Sequence, residues 1–207
     1  MLKFVVLLVS VALVVAHHDV DEPHTATVFL LGTNVHGTIN FSEVEGGKVH
    51  VQGIITGMPP GEYGFHVHEK GDISGGCGTT GSHFNPEKMD HGHPNDSVRH
   101  VGDLGNVRFG EQGTANIDFV DSQIALRGPH SIIGRAVVLH EKADDFGRSD
   151  HPDSRKTGNA GGRVACGVIG ILEPLYPQKQ ASSASNIESF AYFFITFALF
   201  LLRHTSF

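Results

Sequence analysis

Short apolar or alternating segments run through the middle of the chain, and they are typical of β-strands. Glycine and proline turns such as Pro59-Pro60-Gly61 separate several of them, and no long segment keeps a helical period. The predicted strands cover residues 25–31, 35–41, 47–56, 61–69, 103–109, 114–120, 134–140 and 164–171. Many short strands joined by glycine-rich turns predict an all-β sandwich or barrel.

Two connections between these strands are long, at about residues 70–102 and 141–163. Irregular connections of this length are uncommon unless they are functional or disordered. Together they hold several of the candidate chemical groups considered below, so we expect them to carry function.

The two ends of the chain carry apolar runs of a different kind. Residues 1–16 combine Lys3 with an apolar run from Phe4 to Val15, which predicts a secretory signal peptide cleaved after Ala16. The run is shorter than the roughly 20 residues that a membrane-spanning helix needs. Residues 17–23 would then be a short mature extension, followed by one domain over residues 24–175.

After the domain, residues 176–189 form a polar linker and residues 190–207 a hydrophobic tail. Small residues, a polar spacer and an apolar run are the parts of a glycolipid-anchor signal. The spacer is short and Arg203 to Phe207 follow the apolar run, so a short transmembrane or peripheral hydrophobic tail is an equal alternative. Either alternative associates the protein with a membrane surface, and with the leader it predicts a secreted or surface-tethered protein.

Charge and cysteine content narrow the chemistry. The formal net charge of -7 argues against a nucleic-acid partner, and an anionic substrate would need a local positive field. Cys77 and Cys166 are the two cysteines of a chain expected in the secretory route, so one intrachain disulfide is predicted, with free thiols as the alternative. Asn40 and Asn95 fit the N-glycosylation acceptor pattern.

Histidines supply the candidate chemistry. In the predicted strand Gly64-Phe65-His66-Val67-His68, residues i and i+2 project from one face, so both imidazoles can reach one ion. Imidazole suits copper and zinc. Any one of these residues could lie on a solvated loop, but the ordered set predicts two metal sites. The further candidates are His83, His91, His100, Asp103 and His140.

Five stretches resemble the copper/zinc superoxide dismutases. The resemblance covers about residues 24–173 and implies an eight-stranded Greek-key barrel, a sandwich of immunoglobulin-like architecture, with two long functional loops. The stretches are Gly64-Phe65-His66-Val67-His68-Glu69, Gly81-Ser82-His83-Phe84-Asn85-Pro86, Arg99-His100-Val101-Gly102-Asp103-Leu104-Gly105-Asn106, Val138-Leu139-His140-Glu141-Lys142-Ala143-Asp144-Asp145 and Gly158-Asn159-Ala160-Gly161-Gly162-Arg163-Val164-Ala165-Cys166-Gly167.

The resemblance implies one copper and one zinc ion per subunit. Asp144 corresponds to a carboxylate that orients ligand imidazoles from behind. Zinc favours a closed tetrahedral site of nitrogen and oxygen ligands, which the second set supplies. The implied copper ligands are His66, His68, His83 and His140, and the implied zinc ligands are His83, His91, His100 and Asp103, with His83 shared.

The implied reaction is the conversion of superoxide to dioxygen and hydrogen peroxide by copper redox cycling. Arg163 resembles the residue that docks the anion, and Thr157 the residue that narrows the channel opposite it. Lys142 and Lys156 would add to a guiding field. His83 would deliver a proton, so the predicted catalytic residues are Arg163 and His83.

Three positions depart from the family pattern. The resemblance implies a homodimer. Lys70 stands where dimeric members often have an apolar residue in the subunit contact, and this weakens the expectation of a homodimer. His93 replaces a glycine of the zinc loop and is interpreted as an exposed neighbour rather than a fifth ligand. His151-Pro152-Asp153 alters the outer guiding loop.

Two other functions fit the same barrel. A copper-delivery protein would commonly lack a copper ligand or carry extra cysteines, whereas this chain has all four copper histidines and two cysteines. A noncatalytic metal-binding or adhesive module would not need Arg163 in its family setting. Both features favour the enzyme.

Overall fold

The computed structural model describes residues 25–172, which form an all-β domain as predicted. One short helix, α1 (Ser154–Thr157), accompanies the strands. The strands are β1 (Thr25–Gly32), β2 (His36–Val44), β3 (Lys48–Thr56), β4 (Gly61–His68), β5 (Asp103–Phe109), β6 (Thr114–Asp121), β7 (Ala136–His140), β8 (Arg163–Val168) and β9 (Gly170–Ile171).

Eight strands follow one another in a nearly closed antiparallel barrel, in the order β5-β4-β7-β8-β1-β2-β3-β6. The strand β9 lies off this path and pairs with β1. The chain leaves β3 for β4 and β6 for β7 without pairing these neighbours in sequence, and such crossovers give the Greek-key connection. The predicted fold class is therefore confirmed.

Burial differs between the two halves of the barrel. In β1, β2, β3 and β6 buried residues largely alternate with more exposed ones, as expected for strands with one solvated face. In β4 residues 64–68 are all buried, and so is every residue of β7. Phe65 and Val67 belong to the hydrophobic core, so His66 and His68 project from the opposite face. The long connections cover that face.

The two long connections fall close to the predicted positions. The first, between β4 and β5, contains a 3-10 turn at Gly76–Thr80, and the second, between β7 and β8, contains α1. A third irregular connection, residues 122–135, was not singled out from the sequence. Cys77 in the first long loop is bonded to Cys166 in β8, which confirms the predicted intrachain disulfide and ties the loop to the barrel wall.

Strand ends differ most from the prediction in three places, the first of which is β2, which ends at Val44 rather than at residue 41. The predicted strand 164–171 is divided at Ile169, which is buried and bonds through its backbone N to Arg135 O at 2.9 Å instead of continuing the pairing of β8. The predicted strand 134–140 begins only at Ala136, after a left-handed turn at Gly134 (φ 75°).

The predicted signal peptide, mature extension, polar linker and hydrophobic tail lie outside the described residues. Across residues 25–172, none of the helices combines the length and hydrophobicity needed to cross a membrane.

Candidate metal centre

Strands β4 and β7 bring three predicted ligands together. His66 pairs with Val138 in the register of these strands, and His140 lies two residues further along β7 on the same outer face. His68 and His140 approach through their Nε2 atoms, 3.3 Å apart. His83 joins them from the first long loop, where its backbone forms an isolated β-bridge with His68, the last residue of β4. All four histidines are buried.

Hydrogen bonds on the far side of each ring orient its free nitrogen. His68 Nδ1 donates to Gly81 O at 2.9 Å and His140 Nδ1 donates to Gly161 O at 3.3 Å. Each Nε2 atom then carries a lone pair, and the two atoms face each other at 3.3 Å. This arrangement favours a cation between them. Metal-binding histidines usually hydrogen-bond through the second nitrogen in this way.

A second set of donors surrounds Asp103, at the start of β5. Its Oδ1 lies 2.8 Å from His83 Nδ1, 2.9 Å from His91 Nδ1 and 3.0 Å from His100 Nδ1. Its Oδ2 accepts the backbone N–H of His100 at 2.8 Å and of Gly92 at 3.2 Å, which fixes the carboxylate. Three nitrogens and one oxygen therefore converge, the donor set that structural zinc prefers.

His83 belongs to both sets. Its Nδ1 faces Asp103, whereas its Nε2 is buried without a hydrogen-bond partner in the described part of the chain. His66 Nδ1 is likewise buried without a hydrogen-bond partner among the described residues. His91 Nδ1 lies 2.9 Å from Asp103 Oδ1, but the geometry of that contact is not that of a hydrogen bond. Buried polar atoms are rarely left unpaired. These three nitrogens point into the two donor sets, so copper and zinc ions would satisfy them, and the residues present fit both metals.

Asp144, in the second long loop, links the two donor sets by binding the ring nitrogens of His66 and His91 that face away from those sets. Its Oδ2 accepts a hydrogen bond from His66 Nε2 at 2.8 Å and its Oδ1 one from His91 Nε2 at 2.7 Å. Asn106 of β5 holds its backbone on both sides, since Asn106 Oδ1 accepts from Asp144 N at 2.7 Å and Asn106 Nδ2 donates to Asp144 O at 2.9 Å. The position of Asp144 is therefore fixed by the barrel.

Two glycines make room for this arrangement. A Cβ on Gly158 would overlap Asp144 Oδ1 and lie 2.6 Å from His91 Nε2, and its φ of 66° is in the left-handed region. A Cβ on Gly64 would lie 3.0 Å from His66 Cε1 and 2.9 Å from Ala160 Cβ. Side chains at either position would displace the ligand rings.

Burial and neighbouring charges set the ionisation of the centre. Burial, with a smaller contribution from the Arg163 guanidinium, lowers the pKa of His68 to about 2 and that of His140 to about 3. Burial also lowers the pKa of His83 well below its usual value. These rings are thus neutral, as ligands must be.

The carboxylates of the centre are ionised. Burial opposes the ionisation of Asp103 and Asp144, but hydrogen bonds from the imidazoles around each one outweigh it and hold both pKa values well below the usual range. Burial also opposes the protonation of His91, yet its contacts with the two carboxylates raise its pKa to about 9. A bound cation would take the place of that proton.

Arg163, the first residue of β8, lies beside the first donor set. Its Nη1 donates to Cys77 O at 2.7 Å and to Thr80 Oγ1 at 2.9 Å, and its Nη2 donates to Gly81 O at 2.7 Å. Thr80 Oγ1 is also 3.3 Å from His68 Nδ1, so a single hydroxyl separates the guanidinium from a copper-ligand candidate. The side chain is half-buried.

The remaining predicted positions lie around the centre. Thr157, Lys142 and Lys156 are exposed in the second long loop. Lys70 is also exposed, with Nζ 3.9 Å from Glu69 Oε1. Asn95 is exposed in the first long loop.

Two further positions differ in their exposure. Asn40 is half-buried on β2, where it accepts a hydrogen bond from Thr27 Oγ1 at 2.8 Å. His93 lies outside the potential ligand groups of the described residues, as expected, but it is half-buried rather than exposed.

Several residues that support the centre were not predicted. Arg99 is fully buried next to the ligand candidate His100, and it donates to Asp103 O and, at 2.6 Å, to Asp121 Oδ2 at the end of β6. Thr80 and Asn106 were also missed as supporting residues. Arg99 and Asn106 flank the ligands in one of the motifs, which is the signal that could have pointed to them.

Comparison with known proteins agrees with this geometry. Residues 35–169 match the sequence model of the family described as copper/zinc superoxide dismutase (SODC). A solved structure, a crystal structure of the clock protein EA4, is 72% identical to this chain, covers 75% of this chain and 99% of its own, and superimposes with a TM-score of 0.74. The match of the family model extends over more than half of the chain, so the protein belongs to the copper/zinc superoxide dismutase family.

Proposed function

We propose that the protein is an active superoxide dismutase, with copper held by His66, His68, His83 and His140 and zinc by His83, His91, His100 and Asp103. The observation that carries the proposal is the pair of complete donor sets that share His83, with Arg163 beside the first set. When bound, copper supplies reversible one-electron exchange with superoxide and zinc supplies a fixed positive charge.

The residues of the chain contribute binding, orientation and proton transfer. A guanidinium has five N–H donors, and the loop contacts of Arg163 engage only Nη1 and Nη2. The remaining N–H groups can bind a small anion. Asp144 holds His66 and His91 in place, and His83 Nε2 is the atom at which a proton would be held and passed to the peroxide product. Two superoxide ions and two protons give one dioxygen and one hydrogen peroxide.

The test combines metal content with superoxide consumption. The purified full chain is expected to retain one copper and one zinc ion and to consume superoxide. Replacing Arg163 by Gln should lower kcat/KM about 10- to 100-fold, the worth of a charge-assisted hydrogen bond, while both metals stay bound. Arg108→Gln, an exposed position on β5, is the matched control and should leave kcat/KM unchanged. A fully loaded protein that fails to consume superoxide would defeat the proposal.

The EA4 structure suggests a second candidate function. That neighbour is called a clock protein, and at 72% identity a timing role is a candidate for this chain as well. The same assay separates the two, because a timing role alone requires no turnover of superoxide. The complete ligand sets and the anchored Arg163 favour the enzyme.

We propose that the reaction takes place outside the cell, on the strength of the predicted leader. Expression of the full chain should give activity in the culture medium or on the cell surface. Release from the surface by a phospholipase that cuts glycolipid anchors would identify the tail as an anchor signal, and activity confined to the cell interior would contradict this location.

A further inference from the structure

Phe146, two residues after Asp144, has an unusual backbone conformation. Its φ is 62°, in the left-handed region, which bulky residues rarely adopt. This conformation directs the Phe146 N–H to Asp144 Oδ1, at 2.7 Å. Strained residues of this kind persist only where their surroundings hold them, and they often lie at functional sites.

The ring of His93 holds Phe146 in place. The two rings meet edge to face, with centroids 4.6 Å apart and planes at 68°. The Phe146 ring is also close to Gly105 of β5, where a Cβ would come within 3.6 Å of Phe146 Cε1. His93 belongs to the first long loop and Phe146 to the second, so this pair joins the loops that carry the ligands.

A polar contact strengthens the same junction. Asp96 Oδ2 accepts the backbone N–H of His93 at 3.2 Å, and Arg148 Nη2 donates to both oxygens of Asp96 at 3.1 and 3.2 Å. Arg148 follows Phe146 by two residues. Asp96 therefore links the backbone of His93 in the first long loop to Arg148 in the second, beside the ring pair.

The hydrogen bonds of Asp144 show which metal this junction would affect. The Phe146 N–H bonds to Oδ1, the same oxygen that accepts His91 Nε2. His66, the ligand candidate of the copper set, bonds to the other oxygen, Oδ2. Movement of Phe146 would thus first disturb the side of the carboxylate that orients His91.

We propose that His93 and Phe146 act as a positioning pair, which fixes Asp144 Oδ1 and through it His91, and so slows the release of zinc. The inference rests on the proposed function, in which zinc occupies the set around Asp103. Neither residue binds the metal. His93 Nδ1 also accepts the Asn95 N–H at 3.0 Å, but that bond stays within the first long loop. The contact that joins the two loops is the edge-to-face packing of the rings, so another aromatic ring at position 93 should serve as well.

The experiment compares zinc release from the full, metal-loaded chain into a coloured chelator, followed by absorbance. His93→Ala should release zinc about ten-fold faster than the wild type, within the range found when an outer partner of a metal ligand is removed. His93→Phe keeps an aromatic ring and should release zinc at the wild-type rate. Copper retention should be equal in all three proteins.

A control and a spectroscopic readout separate positioning from general loop stability. Val98→Ala alters an exposed side chain of the same loop, 53% accessible, and should leave zinc release unchanged. With Co²⁺ in the zinc set, His93→Ala should shift the visible absorption bands because His91 is reoriented, and His93→Phe should restore them.

Three results would overturn the inference. They are an unchanged zinc release in His93→Ala, an equal acceleration in Val98→Ala, and a His93→Phe protein that behaves like His93→Ala. A wild-type protein that retains no zinc would overturn the proposed function and this inference together. A zinc-binding wild type with an unaffected His93→Ala would overturn this inference alone.

Discussion

Replacing Gly158 by Ala should disrupt the support of the metal centre without touching a ligand. The added Cβ would overlap Asp144 Oδ1 and lie 2.6 Å from His91 Nε2, so the hydrogen bond between these two residues must break or shift. A charge-assisted hydrogen bond contributes about 1.5–3 kcal/mol. The left-handed φ of 66° adds roughly 1–2 kcal/mol of strain. We therefore expect a loss of about 3–5 kcal/mol of unfolding free energy in the metal-free protein.

Gly128→Ala separates the two contributions. Gly128 has a similar φ of 71°, but a Cβ there would meet no atom within 4 Å. This variant should lose only the strain, roughly 1–2 kcal/mol, and should retain zinc like the wild type.

Urea unfolding of the metal-free proteins and the zinc content of the loaded proteins give the two measurements. Equal unfolding free energies and equal zinc contents in Gly158→Ala and Gly128→Ala would refute the reasoning, because they would show that the approach of residue 158 to Asp144 does not matter.

Three further predictions concern the domain as a whole. His68, His83 and His140 are neutral when folded, because burial lowers the pKa of His68 to about 2, that of His140 to about 3 and that of His83 well below its usual value, but each binds a proton below about pH 6.5 when unfolded. The metal-free protein should thus lose stability as the pH falls below 6.5, with a slope approaching about 4 kcal/mol per pH unit for three protons. Urea unfolding at pH 7, 6 and 5 that shows no loss would contradict this. The Cys77–Cys166 bond closes a loop with a sequence separation of 89 residues, and a loop of this length restricts the unfolded chain. Replacing both cysteines by Ser should therefore lower the unfolding free energy by roughly 4–5 kcal/mol. A loss below 1 kcal/mol would contradict this account of the bond. The homodimer implied by the family resemblance should appear in sedimentation velocity. Phe29→Lys should weaken this dimer, since Phe29 is an apolar residue on β1 that is 58% exposed. A monomeric wild type would rule out the dimer.

The strands were predictable because their side chains alternate and their turns carry glycine or proline. The pattern placed β1 to β7 within three residues at either end. It could not show the interruption at Ile169, because that residue is apolar and only its backbone hydrogen bond to Arg135 distinguishes it from a strand residue. Backbone partners supplied by distant segments leave no periodic signal.

The ligand candidates were predictable for a different reason, since histidines at i and i+2 and the quoted motifs identify residue types directly. The support around them was not. The role of Asn106 depends on a contact with Asp144, 38 residues away. His93 was interpreted as an exposed neighbour because a side chain next to a ligand has no pattern that reveals its packing, and only the fold shows Phe146 against it.

The shared ring of His83 and the two-sided carboxylate of Asp144 have a thermodynamic consequence. Each donor set contains a residue that the other set orients, so filling one set changes the free energy of filling the other. Such linkage is reciprocal: if zinc raises the affinity for copper by some factor, copper raises the affinity for zinc by the same factor. The occupancies of the two sites should therefore be coupled by one factor, the same whichever metal arrives first.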